Sequence, residues 1–267
     1  MGIRLAKRLA REFFSGLARG NGETEPALRL QAVGKSHIGN VRQRNEDRLL
    51  VRHDADDAWL LVVSDGMGGA SSGDYAAQRS VDFLADYHPA AQDICQELAY
   101  RVRQASDSLR SEARADAGRA GMGATLTAVY VAGDQACWAH VGDSRLYMLR
   151  DGQLEQVTKD HTLVQSLQDQ GVITRQEALL HPYRNVLEQC VGCPACLPAT
   201  GRLTLRPGDL LLLSTDGLHG ALSLENTLDD LDSDAPPEAK AETLVKAALD
   251  AGGRDNITVV LGQAVWT

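Results

Sequence analysis

The chain has 267 residues and a formal net charge of −9, with 43% apolar residues but only 4% aromatic ones. That length and apolar fraction suffice for a sizeable core filled by aliphatic side chains and alanine. The acidic balance argues against nucleic acid as the main partner, no stretch is long and apolar enough to span a membrane, and no segment has the unbroken apolar centre of a secretory signal, so a cytoplasmic location is expected.

Residues 1–19 open the chain as a basic amphipathic segment. Ile3, Leu9, Phe13, Phe14 and Leu17 can share one helical face. Arg4, Lys7, Arg8, Arg11 and Arg19 against Glu12 give a local charge of +4, which leaves −13 on the remainder. This asymmetry suggests docking to anionic lipid or an acidic partner; a helix packed on the domain, or a frayed tail, accounts for it equally well. Asn21 to Pro26 reads as a linker. The expected organisation is a segment and linker over 1–26 and a domain over 27–267.

Strand-like stretches follow at 28–36 and 48–52. The polar turn between them holds Arg42, Arg44, Glu46 and Asp47, arginines that could clamp an anion and acids that could order water at a metal. Leu60-Leu61-Val62-Val63 reads as a buried strand. It runs into Ser64-Asp65-Gly66-Met67-Gly68-Gly69, so Asp65 sits where a strand hands over to a glycine loop. Glycines let backbone approach a ligand there, and a glycine carbonyl can itself be one. Amphipathic helices are expected over 73–87, ended by Pro89, and over 93–115. A loop at 118–123 precedes short strands at 124–131, 136–140, 146–150 and 154–158, with Gly133-Asp134 and Asp151-Gly152 as hairpin turns.

The pattern changes over 159–187. Two short helices, 161–171 and 174–180, the second with Thr174-x-x-Glu177 as a capping box, read as an inserted subdomain. Strands resume at 203–205 and 210–214, a helix over 236–251 is closed by Gly252-Gly253, and the last strand covers 257–265. The design of an apolar run followed by an aspartate recurs along the way: Leu210 to Leu213 leads to Asp216-Gly217, Cys137 to Val141 leads to Gly142-Asp143, and Asp255 precedes the final strand. Any one Asp-Gly is equally well a turn. Four such aspartates suggest carboxylates meeting at one sheet edge, where they repel unless protons or cations intervene. All-oxygen ligands suit Mg²⁺ or Mn²⁺.

Five cysteines, an odd number, without an export signal argue against a disulfide scaffold. Cys190-x-x-Cys193-x-x-Cys196 has the spacing of a zinc site, an iron–sulfur site or a redox pair, but no fourth ligand lies nearby. A loop that carries small thiols is the preferred reading. His140 is expected to pack within a strand, and His161, His181 and His219 to be structural or surface residues.

Taken together, Arg42 to Asp47, Val63 to Gly69, Gly121-Met122-Gly123-Ala124-Thr125, His140 to Arg145, Ser214 to Leu218 and Gly253 to Val259 resemble, in order and over about residues 30–265, the motifs of the bacterial type 2C metal-dependent Ser/Thr protein phosphatases. The resemblance implies an α+β fold, a central antiparallel β-sandwich flanked by helices on both faces. It implies two Mn²⁺ or Mg²⁺ ions bridged by Asp65, with the Gly66 carbonyl on one ion and Asp216 and Asp255 completing the other. Glu46 and Asp47 would act through water, Asp143 would serve a weaker third ion, and Arg42 would bind the substrate phosphate. The 159–187 insertion matches the family's flap. Catalysis would rest on Asp65, Asp216 and Arg42, acting on phosphoserine or phosphothreonine of proteins in opposition to a Ser/Thr kinase. Two departures stand out. Met67 occupies a position where some members have a histidine, so water would have to protonate the leaving oxygen. Gly220 stands where the family often has an aspartate, which removes a carboxylate from the third-ion site. The rival readings are a regulatory binding module without catalysis and a phosphatase of a small phosphorylated metabolite.

Overall fold

The computed structural model describes residues 28–68, 72–90, 93–223, 228, 231 and 233–266. The basic segment 1–19, and with it the proposed lipid or acidic-partner contact, lies outside the described residues.

Two antiparallel sheets form the centre. The first has five strands: β1 (Leu28–His37), β11 (Ile257–Trp266), β10 (Leu210–Ser214), β7 (Arg145–Arg150) and β8 (Gln153–Gln156), in that order. The second runs β2 (Asp47–His53), β3 (Trp59–Met67), β5 (Leu126–Ala132), β6 (Gln135–Val141) and β9 (Ala199–Thr204), and the short β4 (Gly123–Ala124) pairs with the end of β3. The continuous apolar runs have a direct explanation. Along β3, Leu61 and Val63 face the other sheet, while Leu60 and Val62 face helices. Along β10, Leu211 and Leu213 face the other sheet, and Leu210 and Leu212 point to the outer helical side. A strand covered on both faces has no polar side to show.

Helices α1 (Ser72–Ala85) and α2 (Ile94–Ala115) cover the second sheet with Ala76, Ala77, Leu84, Leu98, Val102 and Leu109. Asp93 caps α2 by accepting from the Gln96 N–H. On the opposite face α6 (Pro237–Asp250) packs Ala241, Leu244 and Ala248 over β1 and β11. The architecture is thus the expected αββα sandwich.

Between β8 and β9, α3 (Leu163–Asp169) and α4 (Arg175–Leu180) form, and Thr174 and Glu177 make the expected capping box. A bridge between Thr162 and Leu187 closes the base of this segment. Helix α5 (Asp216–His219), directly after β10, was not expected from the sequence. The strand expected over 124–131 is broken at Thr125, because β4 pairs with β3 on one side of it and β5 begins on the other.

The cysteine reading needs correction. Cys95–Cys137 and Cys190–Cys193 are disulfides, and Cys196 is free. The first ties the start of α2 to β6, a spatial pairing that spacing along the chain does not reveal. His140 packs within β6 as expected, its Nδ1 2.9 Å from the Thr127 hydroxyl, and burial pushes its pKa down to about 3.

Candidate metal centre

One end of the sandwich collects the aspartates. Asp47 opens β2 and Asp65 lies near the end of β3, and the strand register sets the two directly opposite each other. Like charges in that relation destabilise a sheet. Asp216 is the first residue of α5, Asp143 lies in the turn between β6 and β7, and Asp255 stands two residues before β11. Ser214 pairs with both Arg145 and Val259, so three of these chain ends meet side by side.

Neighbouring hydroxyls and amides hold the acids. The Asp65 N–H donates to Thr125 Oγ1 (2.9 Å), the Thr125 N–H donates to the Asp65 carbonyl (2.8 Å), and Ser64 Oγ donates to the Thr125 carbonyl (2.7 Å). Thr215 Oγ1 donates to Asp47 Oδ2 at 2.7 Å and accepts from the Thr258 N–H at 3.0 Å, which stitches the two sheets together at this end. The turn that carries Arg42 and Glu46 is held by Asn256. Its Oδ1 accepts from the Glu46 N–H (2.8 Å), and its Nδ2 donates to the carbonyls of Ile38 (2.8 Å) and Arg44 (2.9 Å). Arg42 Nη2 lies 2.7 Å from Asp255 Oδ2.

Sequence reasoning missed Thr125, Thr215 and Asn256 as supports. The available signal was a polar residue beside each aspartate-bearing strand end, as in Thr215-Asp216 and Asp255-Asn256.

The electrostatics are unfavourable as the acids stand. Burial, followed by the charges of Asp47, Asp216, Asp143 and Asp255, holds the Asp65 pKa well above the usual carboxylate range. Burial raises Asp47 to about 7 against the hydrogen bonds from Thr215 and Thr258. Asp143 is raised to about 8 by burial and then by Asp216 and Asp160, and Asp216 to about 6 by burial and then by Asp255. Arg42 is raised, first by its bond to Asp255 and further by the charges of Asp216 and Asp65.

Among the described residues no three acidic, histidine or cysteine side chains already close on a single point. The donor set nevertheless fits hard divalent ions. It is all oxygen, its members repel one another, and Asp47 Oδ1 and Asp216 Oδ1 are buried without a hydrogen-bond partner. Buried acceptors of that kind ordinarily find a donor or a cation. Gly66 belongs to the same place. Its N–H donates to the Glu46 carbonyl, and a Cβ on it would overlap the Gly73 carbonyl, so only glycine passes here. The Gly66 carbonyl and Glu46 Oε1 both lie against Gly73 at the start of α1. Gly220 caps α5, its N–H donating to the Asp216 carbonyl at 2.7 Å.

Known proteins resemble this chain. The sequence profile of the family described as Protein phosphatase 2C matches residues 33–256. Serine/threonine protein phosphatase PstP of Mycobacterium tuberculosis is 38% identical over 241 residues, 89% of this chain and 46% of that protein, so the chain spans about half the length of this relative. Protein phosphatase PhpP of Streptococcus pneumoniae is 35% identical over 232 residues, 84% of this chain and 93% of that protein. The crystal structure of the PstP catalytic domain in complex with two manganese ions matches with a TM-score of 0.80 at 35% identity, covering 89% of this chain and 99% of that one. With the profile matching well over half of the chain, the chain belongs to the protein phosphatase 2C family.

Proposed function

We propose that this chain is a metal-dependent protein phosphatase that hydrolyses phosphoserine and phosphothreonine on proteins. The observation that carries the reading is the gathering of Asp47, Asp65, Asp143 and Asp216 at one end of the sandwich, with two buried carboxylate oxygens lacking partners. Asp65, the Gly66 carbonyl, Asp216 and Asp255 would hold two Mn²⁺ or Mg²⁺ ions, and Asp143 would offer a weaker third place. Bound there, the ions supply a water acidic enough to ionise near neutral pH and positive charge against the phosphoryl oxygens.

The chain's own residues supply the rest. Arg42 stands on an exposed turn with one guanidinium nitrogen on Asp255, and its remaining N–H groups are free to hold a phosphate. Asp47 keeps Oδ2 on Thr215 and offers Oδ1 to water, as does Glu46 from its place beside Gly66. Met67 has no proton to give, so the departing serine or threonine oxygen takes its proton from water. No cysteine acts as nucleophile.

The catalytic unit is residues 27–267, with 159–187 as a flap beside the site. It works in the cytoplasm against a Ser/Thr kinase, and residues 1–19 contact anionic lipid or an acidic partner. The test is hydrolysis of a phosphothreonine peptide with Mn²⁺ and then with excess chelator. Activity is expected to vanish on chelation and in Asp216→Asn. Hydrolysis that persists in chelator would overturn the two-ion reading.

A further inference from the structure

Cys190 and Cys193 form a disulfide where the chain leaves the 159–187 segment for β9. The bridge spans a separation of 3 along the chain, against 42 for Cys95–Cys137, so it restricts the unfolded chain far less. Its position matters more than that restriction. Val191, inside the loop, makes both bonds of a bridge to Ala124: the Ala124 N–H donates to the Val191 carbonyl at 2.9 Å, and the Val191 N–H donates to the Ala124 carbonyl at 2.8 Å. Ala124 is paired in turn with Gly66, and Gly123 with Met67. A continuous ladder therefore runs from the disulfide loop through β4 to the glycine whose carbonyl is proposed to hold an ion.

Packing points the same way. A Cβ on Gly123 would lie 2.8 Å from Cys190 Sγ and 2.9 Å from Met67 Cε, so sulfur and methionine close over this strand pair. The Gly192 N–H donates to Ser106 Oγ on α2 at 3.0 Å, which fixes the other side of the loop. Cys190 is fully buried, whereas Cys193 is only half-buried and is the reachable end of the bridge. The free Cys196 is a poor competitor, since burial pushes its thiol pKa up and keeps it protonated. In a reducing compartment, a disulfide of this spacing is more often a redox device than a staple.

We propose that Cys190–Cys193 is a reversible thiol–disulfide site, opened by a dithiol reductant, whose closed form firms the ladder that presents the Gly66 carbonyl and so tightens divalent-ion binding. The inference rests on the two-ion reading. One thiolate of the reductant attacks Cys193 Sγ, forming a mixed disulfide, and Cys190 leaves as a thiolate. The reductant's second thiolate then attacks its partner sulfur in the mixed disulfide and releases Cys193. Two electrons pass to the bridge, the reductant ends as a disulfide, and its two protons end on Cys190 and Cys193.

The test uses the full chain, air-oxidised or treated with dithiothreitol, with thiols located by alkylation and mass spectrometry and Mn²⁺ affinity measured by calorimetric titration. Cys190 and Cys193 are expected to become alkylatable together, only after reduction. Mn²⁺ affinity should fall about tenfold on reduction, the scale for losing an outer support of a metal ligand. Cys193→Ser should show the weaker affinity in both buffers, and a wild-type shift that appears without alkylation of Cys95 or Cys137 assigns it to this bridge. Alkylation of Cys190 and Cys193 in never-reduced protein, or equal Mn²⁺ affinity of both forms, would overturn the inference. Mn²⁺ binding by neither form would instead overturn the metal centre.

Discussion

Asp47 and Asp65 face each other across a strand pair, and Asp216 stands close enough to Asp143 to raise its pKa. With folded values at about 7 for Asp47, about 8 for Asp143 and about 6 for Asp216, and with Asp65 raised in the same direction, these carboxyls keep protons that the unfolded chain releases near pH 4. Their contribution to stability is therefore full at low pH and is lost as pH rises through that window. Divalent ions compete for the same oxygens, so binding releases protons. Mn²⁺ affinity should rise by about tenfold or more between about pH 6 and about pH 8, read by titration in matched ionic strength. A flat profile would mean that these carboxyls do not bind the ion. At this scale the acids were legible and their supports were not. Asp65, Asp143, Asp216 and Asp255 each adjoin an apolar run. Thr215, by contrast, works by reaching Asp47, 168 positions away; its place beside Asp216 hints at a supporting role but not at that partner.

The turn between β1 and β2 is the element that handles substrate in this reading. It is fastened by three hydrogen bonds to Asn256 and by the Asn40 N–H on the Gly253 carbonyl at 2.6 Å. Arg42 stands exposed between these anchors. Arg42→Ala should raise KM about tenfold with kcat nearly unchanged, the loss expected of a charged hydrogen bond made equally in the bound and reacting states. Asn256→Ala should also raise KM. It should further cost about 1–2 kcal/mol in denaturant unfolding, because it removes three hydrogen bonds to partly exposed backbone groups of this turn. An unchanged KM in steady-state assays of Arg42→Ala would remove its role. The strands were legible as elements because β3 and β10 are apolar on both faces. The break at Thr125 and the short helix α5 were not, since a two-residue strand and a single helical turn carry no periodicity to read.

The whole molecule places its repulsive acids at one end of a sandwich whose middle is well packed. Leu61, Val63, Leu211, Leu213 and Val260 fill the space between the sheets. The core thus holds the acids together while their charges push apart, and ions at that end should act as a thermodynamic staple between β2–β3 on one sheet and β10–β11 on the other. A ligand at about 100 times its Kd adds about 2.7 kcal/mol, which for a domain of this size is about 5–10 °C in Tm. Saturating Mn²⁺ should therefore raise Tm by that amount in thermal melts near pH 7. Asp65→Asn separates this staple from general effects of charge. Removing one member of the repelling set should leave the metal-free variant at least as stable as the metal-free wild type, while abolishing the Mn²⁺ shift. If Asp65→Asn kept the full shift, the ions would bind away from the centre; if it unfolded without metal, Asp65 would be holding the sandwich together rather than straining it.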